Sequence, residues 1–251
     1  MVLEDIKLKL VCIQNWLTIR LVVLGFLRKS RSKFIRVGTP YGGWYLPETR
    51  LNRAEDNTLI SVGIGFDVSF DLELANSGFN VILVDPLPES IRFARQKLEF
   101  YSNCFFENSG LSSSTGTQIF YSPKNPDHDS WSSTNVQSTD AKLAKYFPVL
   151  TLTYLVSKYE YLLRNHFVYL KMDIEGEEIN QISEICKLAS VFDFIGIEFD
   201  FLSLIPFWQF SRRVRSIKLA RKLLKEMDEA GYRMICVDHY NLHWERDDDN
   251  F

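Results

Sequence analysis

An apolar stretch that breaks into a Gly-x-Gly turn is the feature of this chain that most restricts its fold. The mainly apolar residues 59–62 lead into Gly63 and Gly65, and a second apolar run, residues 81–84, ends in Asp85. Glycine allows a sharp bend and a close approach of a ligand to the backbone. The pattern therefore predicts two neighbouring buried parallel strands, with a carboxylate beside the turn that follows the first.

Such a turn either joins a strand to a helix without a ligand or binds a nucleoside-containing cofactor, and the acid at this spacing favours the cofactor. A dinucleotide fingerprint would place a small residue where Val68 stands, and the sequence contains no Gly-Lys-Ser/Thr phosphate loop. S-adenosylmethionine (SAM) has no pyrophosphate, so it suits the turn better. Gly63 and Gly65 would lie under its methionine part, and Asp85 would accept hydrogen bonds from its ribose hydroxyls. The alternatives are an NAD(P)-binding oxidoreductase and a non-catalytic cofactor-binding module.

A second motif begins in another mainly apolar run, residues 167–172, and continues into a predicted helix as Lys-Met-Asp-Ile-Glu-Gly-Glu-Glu at residues 171–178. Together with the glycine turn, it resembles the FkbM-type family of SAM-dependent methyltransferases, in which the motif reads Lys-x-Asp-x-Glu-Gly-x-Glu. Weaker support comes from Arg-Val-Gly at 36–38 and Gly-Gly-Trp-Tyr-Leu-Pro at 42–47. The resemblance extends in order over roughly residues 36–245, and the motif at 171–178 is its most specific part.

The resemblance implies direct transfer of a methyl group from SAM, often to a hydroxyl of a sugar or of another small biosynthetic metabolite. It implies that Glu107 or Asn108, after the third strand, faces the adenine, and that Asp173 and Glu175 lie near the transferred methyl. Many methyltransferases carry an acid two residues before the first glycine, where this chain has Ser61. Another acid must then bind the methionine ammonium.

Two acids are candidates for that contact, Asp67 in the glycine turn and Asp173 in the second motif. The predicted cofactor site therefore comprises both of them, together with Ser61, the glycines, Asp85 and the residues named for adenine.

Four acidic residues are expected at the carboxyl ends of two neighbouring strands, where doubly wound sheets bind ligands. Asp173 and Glu175 follow one strand, and Glu198 and Asp200 follow the next. A carboxylate that ends a buried strand is costly without a partner, so Asp173 is the strongest candidate for the chemical step. The alternatives without a catalytic role are that Glu175 caps a helix and that Asp200 is a solvated loop acid.

The candidate catalytic residues are Asp173, Glu175, Glu198 and Lys171. Lys171 lies on the same face of its strand as Asp173. It either forms a structural ion pair with Asp173 or Glu198 or orients the acceptor. Whether Asp173 and Glu198 hold a divalent metal is open from the sequence.

Strands alternate with helices from residue 58 onward, which predicts an α/β fold. We expect a Rossmann-like, doubly wound, mostly parallel seven-stranded sheet with an antiparallel C-terminal hairpin and an N-terminal helical extension. Residues 1–57 are predicted to be an N-terminal helix and short strands that pack on the core, and residues 58–251 the methyltransferase domain. Residues 108–138 are rich in Ser, Thr, Asn and Gly and are predicted to form a long polar loop of functional importance.

The composition narrows the class of partner. Of the 251 residues, 46% are hydrophobic, which is enough for a substantial core. The net charge of -3 provides no basic field for nucleic acid, so a small-molecule acceptor is expected. The four cysteines are scattered without a Cys-x-x-Cys or zinc-site spacing, which favours a reduced, cytoplasmic protein. The sequence does not predict the oligomeric state.

Two apolar segments raise the question of membrane contact. Residues 8–27 are largely apolar but contain Lys9 and Arg20, which argues against a spanning helix, and a basic run follows at 28–33. This helix is predicted either to pack on the domain or to lie in a membrane surface with its basic run on anionic headgroups. Residues 202–210, rich in apolar and aromatic side chains, are either core or a substrate lid that touches the membrane. The lid would suit a lipid-linked or glycolipid acceptor.

Two further motifs support weaker hypotheses. Asp-His-Asp at residues 127–129 resembles the Asp-x-Asp that binds a metal and a nucleotide sugar in glycosyltransferases, but no apolar strand precedes it. His239, in the C-terminal turn, is a candidate base if that turn folds over the site.

Overall fold

A seven-stranded sheet forms the centre of the fold in the computed structural model, which describes residues 2–30, 32–51, 57–124, 131–133, 139–203 and 209–247. Five neighbouring strands are parallel, and the last strand of the chain is antiparallel to both of its neighbours. From one edge to the other the order is Tyr232–Asp238 (β11), Asn241–Arg246 (β12), Phe194–Glu198 (β10), Phe167–Met172 (β9), Asn57–Val62 (β3), Asn80–Val84 (β4) and Cys104–Glu107 (β5). The predicted fold class, including the antiparallel C-terminal hairpin, is confirmed.

The two central strands explain why the site forms where it does. Every residue of β3 and of β9 is buried, as expected for strands covered on both faces by helices. β3 lies between β4 and β9, and Val62 is in register with Val84 on one side and Met172 on the other. The glycine turn, Asp85 and Asp173 therefore leave the sheet side by side at one edge.

Helices cover both faces of the sheet, and each face has its own apolar cluster. Pro88 opens one of these helices, whose buried residues Ile91, Ala94 and Leu98 recur at helical spacing. The helices are Val2–Val23 (α1), Glu48–Leu51 (α2), Ser69–Asn76 (α3), Pro88–Leu98 (α4), Leu152–Lys158 (α5), Glu160–Leu163 (α6), Glu178–Lys187 (α7), Asp200–Ser203 (α8) and Phe210–Glu229 (α9).

The prediction of a long polar loop over residues 108–138 was wrong for its described part. Gly110–Leu111 (β6), Gly116–Pro123 (β7) and Thr139–Leu150 (β8) form a separate three-stranded sheet in the order β6-β8-β7. Such a sheet buries one face only, so a few apolar residues suffice. Phe120, Phe147 and Val149 form its small apolar cluster. The polar residues between them hid the strands from a periodicity argument.

Before β3, the chain forms a short antiparallel pair of strands, as expected within residues 1–57. Its strands are Phe34–Val37 (β1) and Trp44–Pro47 (β2). Trp44 and Leu46 are buried in the same apolar cluster as β3 and α3. The boundary near residue 57 stays a prediction, because these early elements share a core with the sheet.

Helix α1 packs on the domain through one face. Ile19, Val22 and Val23 are buried in the core cluster that also contains residues of α9. The guanidinium of Arg213 in α9 donates to the Thr18 hydroxyl at 2.7 Å, and Arg221 donates to backbone carbonyls at the end of α1. Among the helices of the described ranges, none combines the length and the hydropathy that crossing a bilayer requires.

Candidate active site

A cavity of about 760 Å³ opens at the carboxyl ends of the central strands. Its wall includes the glycine turn after β3, Asp85 after β4, Asp173 and Glu175 after β9, and Glu198 at the end of β10. In open α/β sheets ligands bind at this edge. The cavity therefore brings together most of the residues that the sequence singled out.

The glycine turn is held against the turn that follows β9. Gly63 has a φ of 75° and Gly65 a φ of 51°, both in the left-handed region. A Cβ atom on Gly63 would lie 1.6 Å from the carbonyl oxygen of Asp173, so no side chain fits there. The amide of Asp173 in turn donates to the Val62 carbonyl at 2.9 Å. The contact between the two turns thus requires glycine at position 63 even without a ligand.

Asp85 closes the glycine turn from the β4 side. Its carboxylate accepts hydrogen bonds from the amides of Ile64 at 3.1 Å, Gly65 at 3.2 Å and Leu87 at 2.9 Å. Burial raises the pKa of Asp85 to about 6, although these hydrogen bonds oppose the shift. Two carboxylate oxygens offer about four acceptor positions, so a further hydroxyl can be accepted from the cavity side. The position agrees with the predicted ribose contact, which stays a prediction.

Acidic side chains crowd the opposite wall. Ligand oxygens of Asp173, Glu175 and Asp200 all lie within 4.8 Å of one another. Asp200 is 8% exposed, so the alternative of a solvated loop acid is wrong. The arrangement follows from the parallel pairing of β9 and β10, which brings the residues after both strands to one edge. Carboxylate oxygens at such spacing suit a hard divalent cation or another positively charged group.

Glu175 is held in an unusual backbone conformation. Its φ of 54° is in the left-handed region, which costs a non-glycine residue about 1 kcal/mol or more. The Ser132 hydroxyl donates to the Glu175 carbonyl at 2.6 Å, and the Ser133 hydroxyl donates to the Glu177 carboxylate at 2.9 Å. A described part of the polar insertion therefore fixes the acidic turn.

The close spacing and burial of these acids raise the pKa values of several of them. Burial, followed by the charges of Asp173 and Glu175, raises the pKa of Glu198 to about 8. Burial and the same neighbours raise the pKa of Asp200 well above its ordinary value, and burial is also the main cause of the raised pKa of Glu178. The pKa of Glu198 thus lies above neutral pH, so its carboxyl group holds a proton there that an exposed acid would have lost.

Lys171, on β9, lines the same cavity as these acids, and its charge acts on Glu198. It is 5% exposed, its ammonium donates to the carbonyl of Gly63, and it lies 5.3 Å from the centre of the Trp44 ring. Its charge opposes the effect of burial on the pKa of Asp71 behind the glycine turn. Lys171 thus ties the turn to the sheet while it lines the cavity.

Two of the predicted cofactor residues near the first turn occupy different positions. Ser61 is fully buried in β3 and is not part of the cavity wall. Asp67 lines the cavity and accepts from the Thr39 hydroxyl at 2.6 Å and the Ser69 amide at 2.9 Å. Burial opposes ionisation, but the hydrogen bonds from Ser69 and Thr39 outweigh it and lower the pKa of Asp67. Asp67 is therefore negatively charged at neutral pH.

The residues predicted to face adenine have other partners in this structure. The Glu107 carboxylate forms an ion pair with Lys158 and accepts from the Tyr159 hydroxyl at 2.6 Å. The Asn108 amide donates to the carbonyls of Asp85 at 3.1 Å and Pro86 at 3.0 Å. Neither side chain lines the cavity. Their contact with adenine stays a prediction.

Sequence reasoning missed part of the wall. Trp44 and Tyr41 come from the β1–β2 region, and Phe120 and Trp131 from the polar insertion. The Gly-Gly-Trp stretch before β2 was the one available signal, because paired glycines next to an aromatic residue indicate close packing.

The C-terminal hairpin does reach the site. His239 lies at the rim with its side chain 92% exposed, close to Asp238. His243 is fully buried among aromatic rings, and burial lowers its pKa to about 3. The Asp-His-Asp motif at 127–129 and most of the lid predicted over 202–210 lie outside the described residues.

The crowded carboxylates predict an unusual pH dependence of stability. The pKa of Glu198 rises from 4.5 to about 8 on folding, so between these values only the folded chain holds the proton. The free energy of unfolding should therefore fall as the pH rises through this window. Glu198→Gln removes the repulsion and should raise the melting temperature at pH 8 by about 2–4 °C for each 1 kcal/mol gained.

Thermal melts from pH 5 to pH 9 would measure the effect, with Glu99→Gln on an exposed surface as the matched control. At pH 5 Glu198→Gln should bring little gain. A variant that follows the wild-type curve across the whole range would contradict the account.

Solved structures of similar fold share little sequence with the chain. Monomeric WbdD is 12% identical at a TM-score of 0.43, over 76% of this chain and 36% of that one. Fibrillarin of Aeropyrum pernix, in complex with natively bound S-adenosyl-L-methionine, is 12% identical at a TM-score of 0.41, over 90% and 86% of the two chains. A TehB-like SAM-dependent methyltransferase of Corynebacterium glutamicum is 11% identical at 0.38, over 83% and 89%. The chain thus spans about a third of the WbdD chain, and such remote similarity carries no function across.

Among curated protein sequences, none matches the chain significantly. The family model described as the methyltransferase FkbM domain matches residues 47–234, from the end of β2 into β11. The match contains the glycine turn, Asp85 and the motif at 171–178, so the resemblance noted in the sequence is confirmed. The chain belongs to the FkbM methyltransferase domain family, a membership that implies SAM as the methyl donor.

Proposed function

We propose that the chain transfers the methyl group of SAM to an oxygen of a small biosynthetic metabolite, with a sugar hydroxyl as the first candidate. One observation carries the proposal: a single cavity has the glycine turn with Asp85 on one wall and the carboxylates after β9 and β10 on the other. Donor and acceptor would meet between these walls.

The cavity suits SAM in size and charge. Its volume of about 760 Å³ lies within the range of about 300–1,000 Å³ typical of cofactor sites. SAM carries a sulfonium and an ammonium, both favoured near the ionised Asp67 and the acids after β9. We assign the ammonium to Asp67 or Asp173, because Ser61 is buried outside the cavity wall.

The residues of the chain have three tasks in this reaction. When bound, SAM supplies an electrophilic methyl carbon on a positively charged sulfur. Asp173 and Glu175 would hold the acceptor hydroxyl in line with that carbon, and one carboxylate would take the hydroxyl proton as the new C–O bond forms and the bond from the methyl carbon to sulfur breaks, its electron pair remaining on the sulfur. Lys171 fixes the turn between the two walls through its bond to the Gly63 carbonyl. Burial and neighbouring acids raise the pKa of Glu198 to about 8, so its carboxyl group holds a proton at neutral pH.

A divalent cation fits the same acids. Asp173, Glu175 and Asp200 would hold it through carboxylate oxygens, the ligands that Mg²⁺ and Mn²⁺ prefer. Such an ion would polarise the acceptor oxygen and lower the pKa of its hydroxyl. Methyl transfer by the residues above does not depend on it.

The alternatives are weaker. An NAD(P)-binding oxidoreductase needs a small residue at position 68, where Val68 fills the core at 4% exposed. A non-catalytic module would have little use for the costly group of half-buried and buried acids.

We also propose a cytoplasmic location for the chain. Its four cysteines are free thiols, which is typical of reducing compartments.

The first prediction concerns the cofactor. Asp85→Asn keeps the shape but replaces one acceptor oxygen by a donor, and losing hydrogen bonds to a charged acceptor costs about 1.5–3 kcal/mol. The affinity for SAM should therefore fall by about tenfold to a hundredfold. Equilibrium dialysis with labelled SAM measures it, with the exposed Glu73→Gln in α3 as the matched control. Unchanged affinity in a folded Asp85→Asn variant would remove Asp85 from the site.

The second prediction concerns the chemical step. Asp173→Asn keeps the shape but removes the base, so kcat should fall about a hundredfold or more while SAM binds nearly as before. Methyl transfer from labelled SAM to a panel of sugars and other hydroxyl compounds measures the rate, with Glu73→Gln again as the control. Wild-type turnover in Asp173→Asn would make Asp173 structural.

The same assay separates the remaining alternatives. Transfer to amine or thiol acceptors but to no hydroxyl compound would contradict O-methylation while keeping the methyltransferase. Full activity in the presence of a chelator would exclude the divalent cation, whereas loss that Mg²⁺ or Mn²⁺ restores would establish it.

A further inference from the structure

Helix α1 is apolar on both of its faces, but only one of them is covered by the described part of the fold. Thr18, Ile19, Val22 and Val23 face the core. The opposite face remains 47–68% exposed at its large apolar side chains: Ile13, Trp16, Leu17 and Leu21, followed just after the helix by Leu24 and Leu27. A contiguous exposed apolar surface marks a site of contact with another molecule or a membrane, so this face calls for an occupant.

These side chains form one continuous stripe rather than scattered exposures. Ile13, Trp16 or Leu17, and Leu21 recur three to five residues apart along α1, which places them on one side of the helix, and Leu24 follows at its end. Arg20 lies within this stripe, with its guanidinium 5.1 Å from the centre of the Trp16 ring. The stripe therefore combines apolar bulk, an aromatic ring and a positive charge.

Positive charge continues around the stripe. Arg28 and Lys29 follow α1 and are exposed, whereas Lys33 further along is paired with Glu48 and adds no net charge. The whole chain has a net charge of -3, so the exposed Arg20, Arg28 and Lys29 run against the overall balance.

We propose that the exposed stripe of α1, with Arg20, Arg28 and Lys29, docks onto an anionic membrane surface. Apolar side chains would enter the boundary between headgroups and acyl chains, Trp16 would lie at the interface, and the basic residues would contact anionic headgroups. A second copy of the chain is the poorer occupant, because a two-fold contact would bring the two basic faces together. The docked helix lies in the plane of the membrane.

Docking would place one acid of the active site one helix away from the membrane-bound face. Helix α1 packs against α8, whose first residue is Asp200 of the carboxylate group. We therefore include in the proposal an acceptor anchored in the membrane, such as a glycan on a lipid. This view of the acceptor rests on the proposed function, whereas the docking itself does not.

Co-sedimentation with vesicles tests the docking. The probes are vesicles of phosphatidylcholine alone and of phosphatidylcholine with phosphatidylglycerol, at low and at physiological salt. Trp16→Glu and Leu24→Glu each place a charge on the stripe, and Phe100→Glu, at a residue 88% exposed after α4, is the matched control. All three sites are exposed, so the variants should melt and bind SAM like the wild type.

We expect the wild type and Phe100→Glu to bind the anionic vesicles and to bind phosphatidylcholine more weakly. Trp16→Glu and Leu24→Glu should each lower the partition coefficient about tenfold or more. Recovery of the wild type in the supernatant at both salt concentrations would overturn the proposal. So would stripe variants that bind like the wild type, or lipid-free self-association that Trp16→Glu abolishes. SAM binding, measured on the same samples, keeps a failure of docking separate from a failure of the proposed function.

Discussion

The close contact between Gly63 and the carbonyl oxygen of Asp173 is the constraint on which the site depends. A Cβ atom at position 63 would lie 1.6 Å from that oxygen, so only glycine lets the turns after β3 and β9 meet. The Lys171 ammonium bonds to the carbonyl of the same glycine and holds the contact from the sheet side. Because the two turns touch, the predicted cofactor wall and the acidic wall belong to one cavity. The motif at 171–178 thus supplies both the backbone contact that Gly63 requires and the acids of the cavity wall.

The acidic wall lowers the free energy of unfolding. Burial and mutual repulsion raise the pKa values of Glu198 and Asp200, so part of the group stays protonated near neutral pH. A cluster of this kind reduces the free energy of unfolding and is retained where function needs it. Under the proposed function, the acids of this wall stabilise the positive sulfur of the methyl donor and take up the proton of the acceptor.

The sequence predicted the parts of this arrangement that depend on local pattern. β3, β4, β9 and β10 are mainly apolar runs, and residues at or just after their ends form the cavity edge as expected. Contacts between distant segments could not be read in this way. The small sheet of residues 110–150 was missed because its strands mix polar and apolar residues, and nothing in the local sequence pairs Glu107 with Lys158. The buried state of Asp200 likewise follows from tertiary packing, which the local sequence does not show.

Calorimetric titration of the wild-type chain with SAM, with its demethylated product and with NAD tests the central claim most directly. The account predicts saturable binding of SAM and of S-adenosylhomocysteine, one molecule per chain, and no measurable heat with NAD. Binding of NAD in place of SAM, or no binding of any of the three, would contradict the assignment of this cavity to a methyl donor.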